Sequence, residues 1–351
     1  MFDNLSKKQE KIIDAHYKYG TLVSLYNTNN SAKKKKMDAA ITDEDRKLIE
    51  TYKRKPDDDI DPETRLKSKI FEGALIKHGE TMFGEKTFLS PASEYDDWIN
   101  GTDAVLEIEN GNEEPIRIAI DATLCKTSER ADIKLRNITQ NIETLDNKKT
   151  EQFYLKYFES RFKNEGIKGY SSIPKVILGE YAEDFDRILE EMKSEHSVMP
   201  YIFLKMMKAQ LESWFVFVLM VNSQKIDAAK GDIIKPELWY KDKKMRKMYK
   251  SAIQSVDNSW NKEKTEEALK LYEKEEGVFG TDDFSIPKYA SLVSNTKNAL
   301  DWICAELETQ KKRLEELDAE KIKDFENNEV VQKLESHLER DVVLKYRPIF
   351  V

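Results

Sequence analysis

The sequence predicts an α/β fold with a mixed sheet in an αβββαβ core, followed by a mainly α-helical C-terminal half. Apolar residues alternate with other residues in short runs between residues 104 and 124, which is typical of strands. In the second half they recur at helical spacing. Because folded domains usually contain about 100–150 residues, a chain of 351 residues is expected to form two. We place the α/β core at 61–182 and the helical domain at 183–351, after a polar N-terminal helical arm and linker at 1–60.

The predicted core begins with a helix and a short strand. Pro62 suits the first turn of a helix. Apolar side chains then recur at helical spacing as far as Met82, which predicts a helix over 63–83. A short strand is expected after it, either at 87–89 or at 96–99.

The next segment predicts a β-hairpin. Ala104, Leu106 and Ile108 alternate with other residues, and a second run of this kind follows at 116–123. Between the two runs, the sequence Glu-Asn-Gly-Asn at 109–112 contains residues that tolerate a positive φ, as a tight turn requires. We therefore expect two neighbouring antiparallel strands.

Two helices and one strand complete the predicted core. A stripe of apolar residues at helical spacing predicts a helix over 129–145. Five aromatic residues predict an inserted helix within 150–172. The apolar run at 173–179 predicts the last strand, and the crossover helix before it implies a parallel neighbour in the sheet.

Helical patterns dominate the C-terminal half, and they cover 183–195, 200–222, 236–275 and 289–338. The most apolar stretch, 213–224, has 12 uncharged residues, whereas a membrane-spanning helix needs about 20. We therefore expect no contact with a membrane. Residues 214–221 are expected to be buried in the protein core or, as the second choice, in a homodimer interface.

Composition and charge narrow the functional classes. A net charge of −8 argues against a uniformly basic surface, so nucleic acid would have to bind through local patches. The N-terminus has no apolar signal-peptide region, which predicts a cytoplasmic protein. Cys125 and Cys304 form neither a disulfide framework nor a CxxC pair, and both are expected to be buried thiols. The sequence contains no HExxH, Walker, GxGxxG or GxSxG motif, so zinc, nucleotide and serine-hydrolase chemistry have no support.

Two aspartates mark the predicted hairpin as a candidate site. Asp103 stands at the start of its first strand, and Asp121 lies within its second strand, 18 residues later. An antiparallel pairing would bring both carboxylates to one Mg²⁺ (or Mn²⁺) ion, a hard cation that takes oxygen ligands and assists phosphodiester hydrolysis. The alternative is structural, because an Asp at a strand start is often a turn residue and Asp121 could be an edge-strand charge.

The order of elements and the two aspartates resemble the PD-(D/E)XK nuclease superfamily, which has a restriction-endonuclease-like αβββαβ core. The resemblance covers residues 62–180 and rests on a degenerate motif. It implies that Asp103 is the isolated aspartate of the motif and Asp121 its (D/E) residue, with both as metal ligands. Thr123 stands where the superfamily usually has lysine. A cation that positions or activates the attacking water must therefore come from elsewhere.

The same resemblance implies further catalytic candidates. Lys126, near the strand end, and Lys134, on the following helix, are candidates for the missing cation, and Lys134 is the better placed. Asn141 lies two helical turns after Lys134, where the superfamily often has a polar site residue. Glu72 on the first helix resembles its additional metal-side acid, in competition with Glu80. The alternative is that these are solvated residues of a helix face.

A basic stretch in the helical half is a candidate nucleic-acid surface. Residues 241–250 hold six Lys or Arg and one Asp, with aromatic residues near both ends. The basic residues are Lys241, Lys243, Lys244, Arg246, Lys247 and Lys250. Phosphates could bind there. The alternative is a solvated helix face whose Met and Tyr residues pack inward, and the lysine run at 33–36 is a weaker candidate.

Two functions from different classes follow. The first is a Mg²⁺-dependent nuclease that hydrolyses nucleic-acid phosphodiester bonds, with DNA favoured over RNA as its partner. The second is a catalytically inactive nuclease-like fold that serves as a nucleic-acid-binding or protein-assembly module. In this second interpretation, Thr123 reflects lost catalysis.

Overall fold

The computed structural model describes residues 7–28, 31–54, 61–111, 113–127, 129–131, 133–135, 153–194, 196–229 and 285–314, with a few positions between 322 and 332. The helices are α1 (Lys7–Leu25), α2 (Ala32–Ala39), α3 (Asp43–Lys53), α4 (Pro62–Phe83), α5 (Glu94–Trp98), α6 (Phe185–Lys193), α7 (Met199–Ala229) and α8 (Ser285–Leu314). The strands are β1 (Thr87–Pro91), β2 (Ala104–Ile108), β3 (Ile116–Cys125), β4 (Leu155–Glu159), β5 (Ile167–Tyr170) and β6 (Lys175–Tyr181).

A mixed four-stranded sheet forms the centre of the α/β region, in the order β1-β2-β3-β6. The first three strands pair antiparallel, and β6 pairs parallel with β3. Residues 129–131 and 133–135 are helical and lie in the connection from β3 to β6. The predicted hairpin, first helix and parallel last strand are thus confirmed. Of the two positions expected for the first strand, 87–89 is correct, whereas 96–99 is wrong because α5 covers most of it.

Side-chain caps define where the N-terminal helices begin. Ser31, Thr42 and Asp61 each accept a hydrogen bond from a backbone N–H in the first turn of α2, α3 and α4, respectively. Such caps satisfy donors that have no partner inside the helix. Pro62 occupies the first turn of α4, where its missing N–H costs nothing.

The sheet is covered on both faces. One face belongs to the main hydrophobic core, which includes Phe71 of α4 and Phe203 of α7, whose rings meet edge to face at 6.3 Å. The sheet residues in this core include Leu106, Ile118 and Ile120. On the other face, Val105 and Ala119 form a smaller cluster with Met37, Leu155 and Phe158.

The inserted aromatic helix predicted within 150–172 is wrong where the structure describes this segment. Residues 155–159 and 167–170 instead form the antiparallel pair β4–β5. Phe158 and Tyr170 of this pair pack on the second face of the sheet. Aromatic residues favour strands when a neighbouring surface is present to pack against, and the sheet supplies that surface.

The C-terminal region that the structure describes is helical, as predicted. Trp214 and Phe215 of α7 are buried in the main core, while the side chains of 216–221 and the helix predicted at 236–275 lie outside the described residues. Gln210 of α7 hydrogen-bonds both the N–H and the C=O of Ile177, which satisfies polar groups of the edge strand β6. Over the same part of the chain, no helix is both long and apolar enough to cross a membrane.

The lysine run at 33–36 attaches α2 to the α/β region. Lys33 donates to Oγ of Ser90, and the buried Lys34 donates to the carbonyl of Ala92, each at 2.8 Å. Lys36 forms an ion pair with Glu159. Three of the four lysines are therefore engaged in contacts within the chain.

Candidate functional site

The pairing of β2 with β3 brings Asp103 beside Asp121. Ala104 pairs with Ile120 in this register, so one further residue along the ladder places Asp103 opposite Asp121. The N–H of Asp103 donates to the carbonyl of Ile120 at 2.9 Å. Its Oδ2 accepts from the N–H of Ala122 at 2.7 Å, which fixes the carboxylate against β3. The two aspartates of the sequence motif thus lie next to each other at one end of the hairpin.

Lys134 reaches this pair from the connection after β3. Its Nζ donates to Oδ1 of Asp121 at 2.5 Å. Burial by itself would lower the pKa of Lys134, but the carboxylates of Asp121 and Asp103 outweigh it, and the pKa is raised. Lys134 therefore stays charged beside the aspartates.

Two more acidic side chains share the surroundings of the aspartates. Burial, followed by repulsion from Asp97 and Asp121, raises the pKa of Glu72 to about 8. Burial and the carboxylates of Glu72, Asp121 and Asp97 raise the pKa of Asp103 well above its usual value. The pKa of Asp97 is also raised, mainly by burial. Four carboxylates therefore repel one another here, which is the usual electrostatic condition of a site that binds a cation.

A cavity of about 130 Å³ opens beside these groups. Glu72 of α4, Asp97 of α5 and Asp103 line it, together with Lys34 of α2 and Lys69 of α4. The three carboxylates are half-buried, so they remain accessible from the cavity. Tyr26, Asn27 and Thr28, from the segment between α1 and α2, complete one wall. The N-terminal helices thus take part in the candidate site.

Sequence reasoning missed Asp97, because its position depends on contacts that are distant in the chain. The neighbouring Asp96 is buried, and its Oδ1 accepts from the N–H of Lys156 in β4 and from Nδ2 of Asn100, both at 2.8 Å. These bonds hold α5 and the loop before β2 against β4. The acidic first turn of α5, after the Ser93 cap, was the one local signal.

Lys175 is a second lysine that the sequence did not single out. It lies on β6 in register with Ala119, it is buried, and its Nζ donates to the carbonyl of Asn100 at 2.6 Å. Burial lowers the pKa of Lys175, against the opposing effect of Asp121. Lys175 therefore supports the loop that carries Asp103.

The remaining residues that the sequence suggested for the site, where the structure describes them, do not join the contact between Lys134 and the aspartates. Thr123 is buried on β3, two residues before Cys125, whose pKa is raised by burial. Lys126 pairs with the α4 cap Asp61, with 3.0 Å between Nζ and Oδ2. Glu80 is exposed on α4 and does not line the cavity. Asn141 and the basic stretch at 241–250 lie outside the described residues.

The donor chemistry fits a hard divalent cation, since Asp103 and Asp121 offer oxygen atoms only. Among the described residues, no group of three or more His, Cys, Asp or Glu side chains converges closely enough to hold a metal ion. Mg²⁺, however, is usually bound by one or two carboxylates, with waters and substrate phosphates as its remaining ligands. A two-carboxylate site is therefore the arrangement that these residues fit.

Comparison with known proteins gives no further assignment. No family model matches the sequence, and no curated protein or solved structure matches it.

Proposed function

We propose that this chain is a Mg²⁺-dependent phosphodiester hydrolase that acts on nucleic acid, with a PD-(D/E)XK type of site in a restriction-endonuclease-like core. The observation that carries the proposal is the meeting of three groups. Asp103 and Asp121 lie side by side on paired strands, and Lys134 contacts Asp121 from the connection that follows.

The fold supports the same proposal. A helix (α4) precedes three antiparallel strands, a partly helical connection follows, and the last strand returns parallel to β3. This order supports an αβββαβ core, to which α5 and the separate β4–β5 pair are additions. In such a core, the ends of the two central strands carry the acidic residues.

Each residue has a distinct role in the proposed reaction. Asp103 and Asp121 hold Mg²⁺ or Mn²⁺, which supplies Lewis-acid stabilisation of the phosphate charge when it is bound. Lys134 provides a positive charge beside Asp121, where it can orient the attacking water and stabilise negative charge that develops in the transition state. Thr123 has a neutral hydroxyl and does not supply this charge. Glu72 adds a further carboxylate at the cavity wall.

A second function is supported by the same ion pair. Lys134 neutralises Asp121 directly, and the motif lysine is replaced by Thr123. Both features are compatible with a nuclease-like fold that binds nucleic acid or a protein partner without cleaving it. DNA is the favoured nucleic-acid partner in both proposals.

A cleavage assay separates the two functions. We expect the purified protein to cut DNA or RNA in the presence of Mg²⁺ or Mn²⁺, and we expect both Asp121→Asn and Asp103→Asn to abolish cutting. Each substitution removes a ligand charge while keeping the side-chain shape, so the melting temperature should change little. Asp186→Asn, at an exposed position in the first turn of α6, is the matched control and should cut normally. A wild-type protein that cuts neither substrate, and that shows no aspartate-dependent metal binding, would favour the binding module.

A further inference from the structure

The cavity beside the carboxylates carries two positive charges from different elements. Lys34 comes from α2 and Lys69 from α4, and both line the cavity together with Glu72, Asp97 and Asp103. A cavity of about 130 Å³ has room for several water-sized groups, because each occupies about 10–15 Å³ by the same measure. It is therefore large enough for a tetrahedral oxyanion beside a hydrated cation.

Lys34 is unusual because it is a buried lysine. The residue is only 7% exposed, and lysine is rarely buried without a charged partner. Its hydrogen bond is to a neutral acceptor, the carbonyl of Ala92 at 2.8 Å. The nearest carboxylate oxygen, Oδ2 of Asp38, is 3.9 Å from Nζ. An ammonium group has three donors, so its hydrogen-bonding capacity exceeds what Ala92 uses.

Lys69 is positioned differently but faces the same space. It is exposed, and it lies one helical turn before Glu72 on α4, as residues three apart do. Its charge lowers the pKa of Glu72, against the larger effects of burial and Asp97. Its charge also acts on Asp97, but no carboxylate oxygen in the part of the chain that the structure describes lies within 4.0 Å of its ammonium group. Its ammonium group is thus available to a ligand.

We propose that this cavity binds a phosphate group of the nucleic-acid substrate through Lys34 and Lys69, next to the carboxylates at which cleavage would occur. The inference rests on the proposed function for the identity of the substrate. The cavity lining holds two lysines and three carboxylates, and a divalent cation on the carboxylates would leave the cavity net positive. The substrate backbone then runs between α2 and α4, and the N-terminal helices form part of the binding site.

The test measures how DNA binding depends on salt. Each phosphate contact to a single strand contributes about 0.7 to the slope of log affinity against log salt concentration. The probe is a fluorescein-labelled single-stranded oligodeoxynucleotide, measured by fluorescence anisotropy in Ca²⁺, so that binding is observed separately from turnover. We expect Lys34→Gln and Lys69→Gln each to reduce the slope by about 0.7. Lys69→Arg, which keeps the charge, should restore it.

Two controls make the result specific. Lys35→Gln on α2 and Lys77→Gln on α4 remove exposed charges outside the cavity lining, and both should leave the slope unchanged. The exposed Lys69 decides the outcome if Lys34→Gln fails to fold. An unchanged slope for Lys69→Gln, or an equal reduction in the two controls, overturns the phosphate site. Failure of the proposed function is a separate result, because it appears as absent cleavage in an Asp121-dependent assay while binding persists.

Discussion

Lys134 donates a hydrogen bond to Asp121 across 13 residues of sequence, with 2.5 Å between Nζ and Oδ1. Under the proposed nuclease assignment, Lys134 would take the place of the lysine that is absent at Thr123, because it contacts the carboxylate of Asp121. The pairing gives the chain a positive charge at the candidate site without a lysine on β3.

If Lys134 supplies the positive charge of the site, Lys134→Ala should reduce cleavage more than Thr123→Ala. Lys134→Ala should reduce Mg²⁺-dependent cleavage by about 10²–10³, the typical cost of losing one positioned electrostatic donor. Thr123→Ala should have a smaller effect, since a hydroxyl carries no charge. Single-turnover cleavage rates of the folded variants measure the reduction caused by each substitution. The idea of a displaced lysine is wrong if Thr123→Ala is the more damaging change.

The Asp97→Asn substitution should stabilise the protein and weaken its binding of Mg²⁺. Asp97→Asn removes one of four mutually repelling carboxylates, so we expect the melting temperature to rise by about 1 °C, which corresponds to roughly 0.7 kcal/mol in a chain of this size. The weaker negative potential should also raise the Mg²⁺ concentration needed for half-maximal cleavage. Glu94→Gln is the control on the same helix, because Glu94 pairs with Lys53 at 2.7 Å and its loss should not stabilise. A lower melting temperature for Asp97→Asn would show that its charge is compensated in the folded protein.

Local patterns were sufficient for the central hairpin. The alternation around Leu106 and Ile118 and the turn at 109–112 are contained within one short segment, and the structure pairs these two residues in register. The same local information placed Asp103 and Asp121 together. Residues that are near in sequence and constrained by one turn can be positioned without knowledge of the rest of the chain.

Features that depend on distant segments could not be predicted in this way. Aromatic residues within 153–172 are compatible with a helix or a strand, and the choice depends on the sheet face that Val105, Ala119 and Met37 provide. Asp97 enters the site because Asp96 bonds to the backbone of β4, about 60 residues later. Lys34 lies in a run of lysines that resembles a solvated surface in sequence, yet it is buried.

The buried pair of Glu107 and Arg117 predicts a large loss of stability when one partner is removed. Glu107 is fully buried, and its Oε1 accepts from Nε of Arg117 at 3.0 Å and from Oγ of Ser160 at 2.7 Å. Arg117→Met leaves this carboxylate without its cation and also removes the stacking of Arg117 on Tyr170 at 3.9 Å. We expect a decrease of about 3–5 kcal/mol in the free energy of unfolding, measured by urea denaturation.

The double variant tests whether charge or shape causes that loss. Glu107→Gln combined with Arg117→Met removes both charges, so it should be less destabilising than the sum of the two single changes. Additive effects would instead show that the two side chains stabilise the β2–β3 pair independently, by packing.

The lowered pKa of Asp61 predicts how the stability of the protein changes at acidic pH. Burial by itself would raise the pKa of Asp61, but hydrogen bonds from Thr64 and Lys126 outweigh it and lower the pKa to about 2. A carboxyl group with a lowered pKa stabilises the folded state above its unfolded pKa of about 3.9, and this stabilisation disappears as the pH falls through the folded value. Asp61→Asn keeps a capping oxygen but loses the charge, so it should cost about 1–2 kcal/mol at pH 7. This loss of stability caused by Asp61→Asn should shrink steadily between pH 4 and pH 2.

Urea denaturation of the wild type and of Asp61→Asn across this pH range isolates the effect, because the other carboxyl groups are common to both proteins. Asp43→Asn, at an exposed position in the first turn of α3, is the control and should show a smaller difference. A cost for Asp61→Asn that stays constant down to pH 2 would mean that the cap acts through its shape alone, without a contribution from the ion pair to Lys126.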